Sequence, residues 1–241
     1  MALKMKSTPI IKAIFFDLDN TLYNATYAYQ KGTDAIIEYL LNEKMTPLSR
    51  NVLLERYDHS RAQVKKRLPT GHTSAHNRIL YFKSFLESIF NTCSPKLLLT
   101  LLSVYDQAAL KETFLQEKSL LTQLKNKFDF AIVTDETTLT QMKKLSVLDP
   151  NHKLFEHVIT SEEFGCEKPS KTLFLEASKK LKTPLNQCIS IGDSYNKDIL
   201  GAIELGAYSW WITNEHSHPL NQPLIIGQGP LIHALKWLDQ L

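Results

Sequence analysis

Cysteine is scarce in this 241-residue chain, with only Cys93, Cys166 and Cys188 present. Their odd number excludes a fully paired disulfide scaffold and their spacing matches no metal-ligand pattern, so a reducing, cytoplasmic compartment is expected. Long apolar runs are missing too. The greasiest window, Leu97 to Leu102, is flanked by Lys96 and Asp106 and is too short to cross a bilayer, so no membrane partner is expected. The basic start at Lys4 and Lys6 is not followed by a signal-type apolar stretch before the first strand candidate. Neither sign of charge dominates. The net charge of +3 is too slight to point to nucleic acid or an anionic membrane surface. There is no internal repeat and no low-complexity segment. What remains is the composition of an ordinary soluble globular protein, long enough for one large domain or a core with an inserted subdomain. Monomer and homodimer both stay open.

Against this background one stretch stands out, Ile14-Phe15-Phe16-Asp17-Leu18-Asp19-Asn20-Thr21-Leu22. The apolar run from Ile11 to Phe16 reads as a buried strand. Side chains two apart on a strand share a face, so Asp17 and Asp19 can enter one site where the strand ends. Ligand crevices of open α/β sheets lie at those carboxyl ends. Two carboxylates there can divide labour, one as nucleophile and one as proton carrier. Taken alone, the pair reads equally well as a helix cap or an Asx turn.

Three further elements follow in order. Phe128 to Thr134 is a strand ending in a hydroxyl, and Gly165-Cys166-Glu167-Lys168-Pro169 sets a lysine in a loop. Cys188 to Gly192 is a strand ending in Gly-Asp, with Asp193 directly after it and Asp198 one turn further on. Asp17, Asp19, Asp193 and Asp198 would then converge, and like charges that close need something positive among them. A hard divalent cation meets this need, and Mg²⁺ is the usual choice beside phosphate. Lys168 adds a compact positive charge, and Thr134 offers a hydroxyl near a helix start that favours phosphate. Such a site suits phosphoryl transfer.

Between the first two strand motifs the pattern changes to helical period. Ile36, Ile37, Leu40 and Leu41 form one apolar face, and Ile79, Phe82, Leu86, Ile89 and Phe90 form another. Pro47 and Ser49 open a helix through Tyr57. After Leu120, strands and helices alternate. Helices are expected over residues 138–148, 172–181 and 195–205, with strands near 157–160 and over 208–212. The expectation is an α/β fold, a Rossmann-like parallel sheet core (residues 1–24 and 116–241) with an inserted α-helical cap (residues 25–115).

The order D-x-D-x-T, strand-Thr, Lys-Pro, strand-G-D-x-x-x-x-D resembles the haloacid dehalogenase-like (HAD) superfamily, in the subgroup with a helical cap after the first catalytic strand. The resemblance covers nearly the whole chain. It implies that Asp17 attacks phosphorus to form an aspartyl phosphate, and that Asp19 protonates the leaving alkoxide and then activates water. It implies that Thr134 holds a phosphoryl oxygen and that Lys168 bridges this group and the nucleophile. Asp17, the backbone carbonyl of Asp19, and Asp193 would hold the metal, with Asp198 either a direct ligand or a support. Thr21 steadies the loop or is a simple turn hydroxyl. Dehalogenases of the family lack the acid that Asp19 supplies, so the expectation is a Mg²⁺-dependent phosphatase acting on a small phosphorylated metabolite. A phosphomutase is the alternative, and a non-catalytic binding module a more distant one.

Asp135 departs from the family pattern, which usually has Asn after the strand-end hydroxyl. It either contacts a substrate hydroxyl or, as favoured here, simply suits the start of the next helix, where Thr138 and Gln141 match a capping box. In the insertion, His72 and His76 have helical metal-ligand spacing but lack a third ligand. A substrate contact suits His72 better. Arg78 is either a partner for a substrate carboxylate or second phosphate or a solvated surface arginine. His216 and His218 read as surface residues, and Trp210, Trp211 and Trp237 as core.

Overall fold

Short apolar runs become the strands of one sheet in the computed structural model, which describes residues 9–214 and 222–241. In chain order the elements are β1 (Ala13–Phe16), α1 (Ala25–Asn42), α2 (Arg50–Arg67), a 3₁₀ turn (Thr73–His76), α3 (Arg78–Phe90) and α4 (Pro95–Lys111). There follow α5 (Lys118–Leu124), β2 (Asp129–Thr134), α6 (Thr138–Leu148), β3 (His157–Thr160), α7 (Ser161–Phe164) and α8 (Lys171–Lys180). The chain ends with β4 (Cys188–Gly192), a π-helix (Tyr195–Leu200), α9 (Gly201–Ile203), β5 (Tyr208–Trp211), β6 (Ile225–Gln228) and α10 (Leu231–Asp239).

The six strands lie in the order β3-β2-β1-β4-β5-β6, and every neighbouring pair is parallel. Both faces are covered, which is why the central strands are apolar throughout rather than alternating. The strand period of two divides their side chains. Ile14, Phe16, Phe130, Ile132, Ile189 and Ile191 pack on one side with Phe155. Ala13, Phe15, Ala131, Val133 and Cys188 pack on the other with Phe174. A separate buried cluster, including Ile36, Ile37, Tyr57, Phe82, Phe85 and Tyr105, holds α1–α4 together. Strand order reverses between β1 and β4, and a ligand crevice opens at their carboxyl ends at such a point. Asp17 follows β1 and Asp193 follows β4, so both stand at that crevice.

Several elements differ from expectation, and α7 and α10 were not read from the sequence at all. The strand β6 was not read from sequence, because it is short and carries Gly227 where a β-branched residue would signal a strand. The glycine is needed there, since a Cβ at residue 227 would lie 2.6 Å from the Trp210 ring. The helix expected over 195–205 begins as a π-helix and only then becomes α. Its wider turn carries Asp198, and such turns are frequent at functional sites. Gly192 completes this arrangement, as a Cβ on it would come within 2.3 Å of Asp198 Cγ. Among the described residues, no helix is long and apolar enough to cross a membrane. His216 and His218 lie outside the described residues.

Candidate active site

Strand pairing carries Asp17 to the crevice: its backbone N–H donates to Ile191 O at 2.9 Å, extending the β1–β4 register by one residue. The side chain is buried. Lys168 Nζ donates to Asp17 Oδ1 at 2.7 Å, to Asp198 Oδ1 at 2.5 Å and to Val133 O at 2.9 Å. These three bonds use all of the ammonium's donors and fix it in place. Thr21 Oγ1 donates to Asp17 Oδ2 at 3.3 Å, so this hydroxyl serves the carboxylate itself. The Ser194 N–H donates to Asp198 Oδ2 at 3.0 Å.

Oxygens of Asp17, Asp193 and Asp198 lie within 4.8 Å of one another. Burial is the main influence on Asp17 and, despite the nearby Lys168, it joins the charges of Asp198 and Asp193 to push the carboxyl well above its usual range. Burial and Asp198 likewise push Asp193 up to about 6. Three carboxylates against one ammonium leave negative charge in excess, and hard oxygen donors at this spacing fit a divalent cation. Asp17, Asp193 and Asp198 supply those donors. The Asp19 side chain is not among them.

Asp19 instead faces Lys144 of α6, whose Nζ lies 2.7 Å from both carboxylate oxygens. Tyr23 OH donates to Asp19 Oδ1 at 2.6 Å. Burial alone would raise the Asp19 carboxyl, but the Lys144 ammonium and the tyrosine hydrogen bonds hold it down to about 2. Gln141 Nε2 links the two catalytic candidates on this side, donating to Thr134 Oγ1 at 2.6 Å and to Asp19 Oδ2 at 3.3 Å. The expected capping box is therefore not formed. Thr137 is the residue before α6, and Gln141 is turned into the site instead.

Asp135 also differs from the favoured reading. Its Oδ1 accepts the Lys168 backbone N–H at 2.8 Å and its Oδ2 accepts from Lys197 Nζ at 2.9 Å. It ties the loop after β2 to the loop that presents Lys168. The neighbouring Glu167 pairs with Lys197 at 2.7 Å and lies 3.0 Å from His76 Nε2. Burial would raise its carboxyl, yet His76 and Lys197 hold it at about 2.

Arg78 is buried, which rules out a solvated surface arginine. Its guanidinium bonds Glu136 Oε1 at 2.6 Å and Tyr105 OH at 3.0 Å, and it stacks on the Tyr29 ring at 4.3 Å. Together with Lys143–Asp106 at 2.6 Å, this pair joins the inserted helices to the sheet domain. Removing one member of a buried pair strands the other charge, at a cost of about 3–5 kcal/mol. Arg78→Ala is thus expected to lose stability of that order in urea unfolding, and Glu136→Gln in the same chain should recover part of it. A loss below about 1 kcal/mol, the scale of an exposed pair, would contradict this placement.

A cavity of about 540 Å³ lies between the inserted helices and the sheet, with Asp19 and Glu136 on one wall and Tyr57, Arg61, Lys65 and Arg78 on the other. His76 lines it, but His72 does not; His72 Nδ1 accepts the Ser74 N–H at 3.1 Å and caps the 3₁₀ turn. Sequence reasoning missed Gln141, Lys144 and Glu136. The signal was available for two of them. The buried face of α6 is Gln141, Lys144, Leu145 and Leu148, and two polar residues interrupt this apolar stripe.

The family model described as haloacid dehalogenase-like hydrolase matches residues 11–206. The chain is 35% identical to the ribulose-1,5-bisphosphate 5-phosphatase of Halopiger xanaduensis over 198 residues, 80% of this chain and 81% of that one. It is 27% identical to the glyceraldehyde 3-phosphate phosphatase of Methanothermobacter thermautotrophicus, covering 86% and 87% of the two chains. The crystal structure of a 2-haloacid dehalogenase from Pseudomonas syringae superposes with a TM-score of 0.72 at 20% identity, covering 95% of this chain and 99% of that one.

Proposed function

The chain belongs to the haloacid dehalogenase-like hydrolases, and on that footing we propose that it is a Mg²⁺-dependent phosphatase of small organic phosphomonoesters. The observation that carries the reading is the cluster of Asp17, Asp193 and Asp198 around the Lys168 ammonium at the reversal point of the sheet. The relatives' names support sugar phosphates as the substrate class. The presence of Asp19 argues against dehalogenation, which needs no acid at that position.

In this reading Asp17 attacks phosphorus and becomes an aspartyl phosphate. Lys168 orients its carboxylate and offsets the charge of the phosphoryl group. The Thr134 hydroxyl holds a phosphoryl oxygen, aided by Gln141. Asp19 gives its proton to the leaving alkoxide and later takes one from water. Asp17, Asp193 and Asp198 hold Mg²⁺, which when bound neutralises phosphate charge, and Asp135 keeps Lys168 in place. Residues 25–115 form a cap that closes over the core and excludes water.

Metal dependence is tested at Asp193. Chelation should abolish wild-type turnover of 4-nitrophenyl phosphate, and added Mg²⁺ should restore it. Asp193→Asn should need more Mg²⁺ by at least the roughly 10–100-fold that loss of a supporting partner costs. Without metal it should melt above wild type, because one repelling carboxylate has gone. A chelated wild-type enzyme that keeps full activity would sink the metal assignment.

A further inference from the structure

Most charged side chains around the cavity already have partners. Asp19 is paired with Lys144, Arg78 with Glu136, Asp34 with Arg50, and His76 lies on Glu167. Arg61 and Lys65 of α2 have no ion-pair partner among the described residues, although both line the cavity. They are four apart on one helix and so share a face. Arg61 is also oriented, since it lies against the Tyr81 hydroxyl, whose own proton goes to the Ala75 carbonyl. Burial and the neighbouring Arg61 charge lower the Lys65 ammonium, and Glu136, Glu167 and Lys197 act on it from the sheet domain. Both side chains are exposed where they line the cavity, and Lys65 faces the loop after β2, with Glu136, and the loop that presents Lys168, with Glu167. Asp58, the other cavity carboxylate without an ion pair, lies three residues before Arg61 and seven before Lys65 on α2. These two cations against one carboxylate leave a net single positive charge facing this space.

We propose that Arg61 and Lys65 form a second anion subsite, and that the substrate is a phosphomonoester carrying a further phosphate or carboxylate remote from the scissile group. The proposal rests on the phosphatase reading above. With phosphorus at Asp17 and the leaving oxygen at Asp19, the rest of the substrate extends into the cavity. Its volume, about 540 Å³, lies within the roughly 300–1,000 Å³ of small-molecule sites and leaves room for a second charged group. An anion there relieves the repulsion between the two cations and gains charge-assisted hydrogen bonds from a guanidinium and an ammonium.

Two matched pairs of compounds test this. Ribulose 1,5-bisphosphate against ribulose 5-phosphate varies only a remote phosphate, and 3-phosphoglycerate against glyceraldehyde 3-phosphate varies only a carboxylate. The wild-type enzyme should favour the doubly charged member of at least one pair in kcat/KM by about tenfold or more, the scale of a charge-assisted hydrogen bond. The pair that shows the preference identifies the anion. Arg61→Gln with Lys65→Gln should bring that ratio close to one, whereas Arg61→Lys with Lys65→Arg should keep it. Absence of a preference in the wild type, or its survival in the glutamine variant, overturns the subsite. If no compound and no 4-nitrophenyl phosphate is turned over, the phosphatase reading itself fails. Calorimetric affinities for the same pairs, in wild type and the glutamine variant, then decide the subsite independently.

Discussion

Turnover by an Asp17→Asn variant is expected to fall to background while the fold persists. An amide cannot form the acyl phosphate, so the route through a covalent intermediate closes. The substitution is gentle structurally. The side-chain oxygen can still accept from Lys168 or from Thr21, whose bonds to the native carboxylate are 2.7 and 3.3 Å. Stability should hold or rise, since burial and the charges of Asp198 and Asp193 already disfavour an ionised carboxylate here. Steady-state hydrolysis of 4-nitrophenyl phosphate with saturating Mg²⁺, beside a thermal melt, checks both parts. Substantial residual activity in a folded variant would remove Asp17 from the nucleophile role.

Asp19→Asn should lower turnover by about 10²–10⁴-fold, the usual scale for a general acid–base group. With its carboxyl held at about 2 by Lys144 and the tyrosines, Asp19 is ionised at neutral pH, and a group so poised accepts a proton more readily than it gives one. To act as acid it has to leave Lys144, which lets its carboxyl rise, and take up a proton before the ester bond breaks; that proton then goes to the leaving alkoxide. The same depression has a consequence for stability. A carboxyl held below its ordinary value near 3.8 stabilises the fold above that pH, and the contribution is lost as pH falls toward 2. In Asp19→Asn the melting temperature should therefore depend less steeply on pH across this window. An acid limb as steep as that of the wild type would argue that Lys144 does not stabilise the ionised Asp19. Unchanged turnover would separately exclude the acid–base role.

Much of this arrangement was legible in the chain. A buried parallel strand has to be apolar on both faces, so β1, β2 and β4 announce themselves, and Asp17, Thr134 and Asp193 are set by the ends of those runs. The bounds of α6 and β3 were also plain from periodicity. What was hidden depends on partners far away in sequence. Arg78 looks like any polar helix residue until Glu136, 58 residues later, is seen to meet it inside the protein. Lys144 drew no notice in the sequence because its partner Asp19 lies 125 residues earlier. Asp135 was misread for the same reason, since local helix chemistry explains an aspartate there equally well without its bond to the Lys168 backbone. Local preference and tertiary contact agreed for the strands and competed at the site.

Mass spectrometry of Asp19→Asn mixed with 4-nitrophenyl phosphate and Mg²⁺ tests the central claim most directly. This ester has a good leaving group and needs little help from an acid, so attack by Asp17 should proceed while hydrolysis of the product stalls. The account predicts a phosphate adduct confined to the peptide that contains Asp17, absent when Asp17 is also changed to Asn. Rapid turnover with no adduct, or an adduct on another residue, would contradict it.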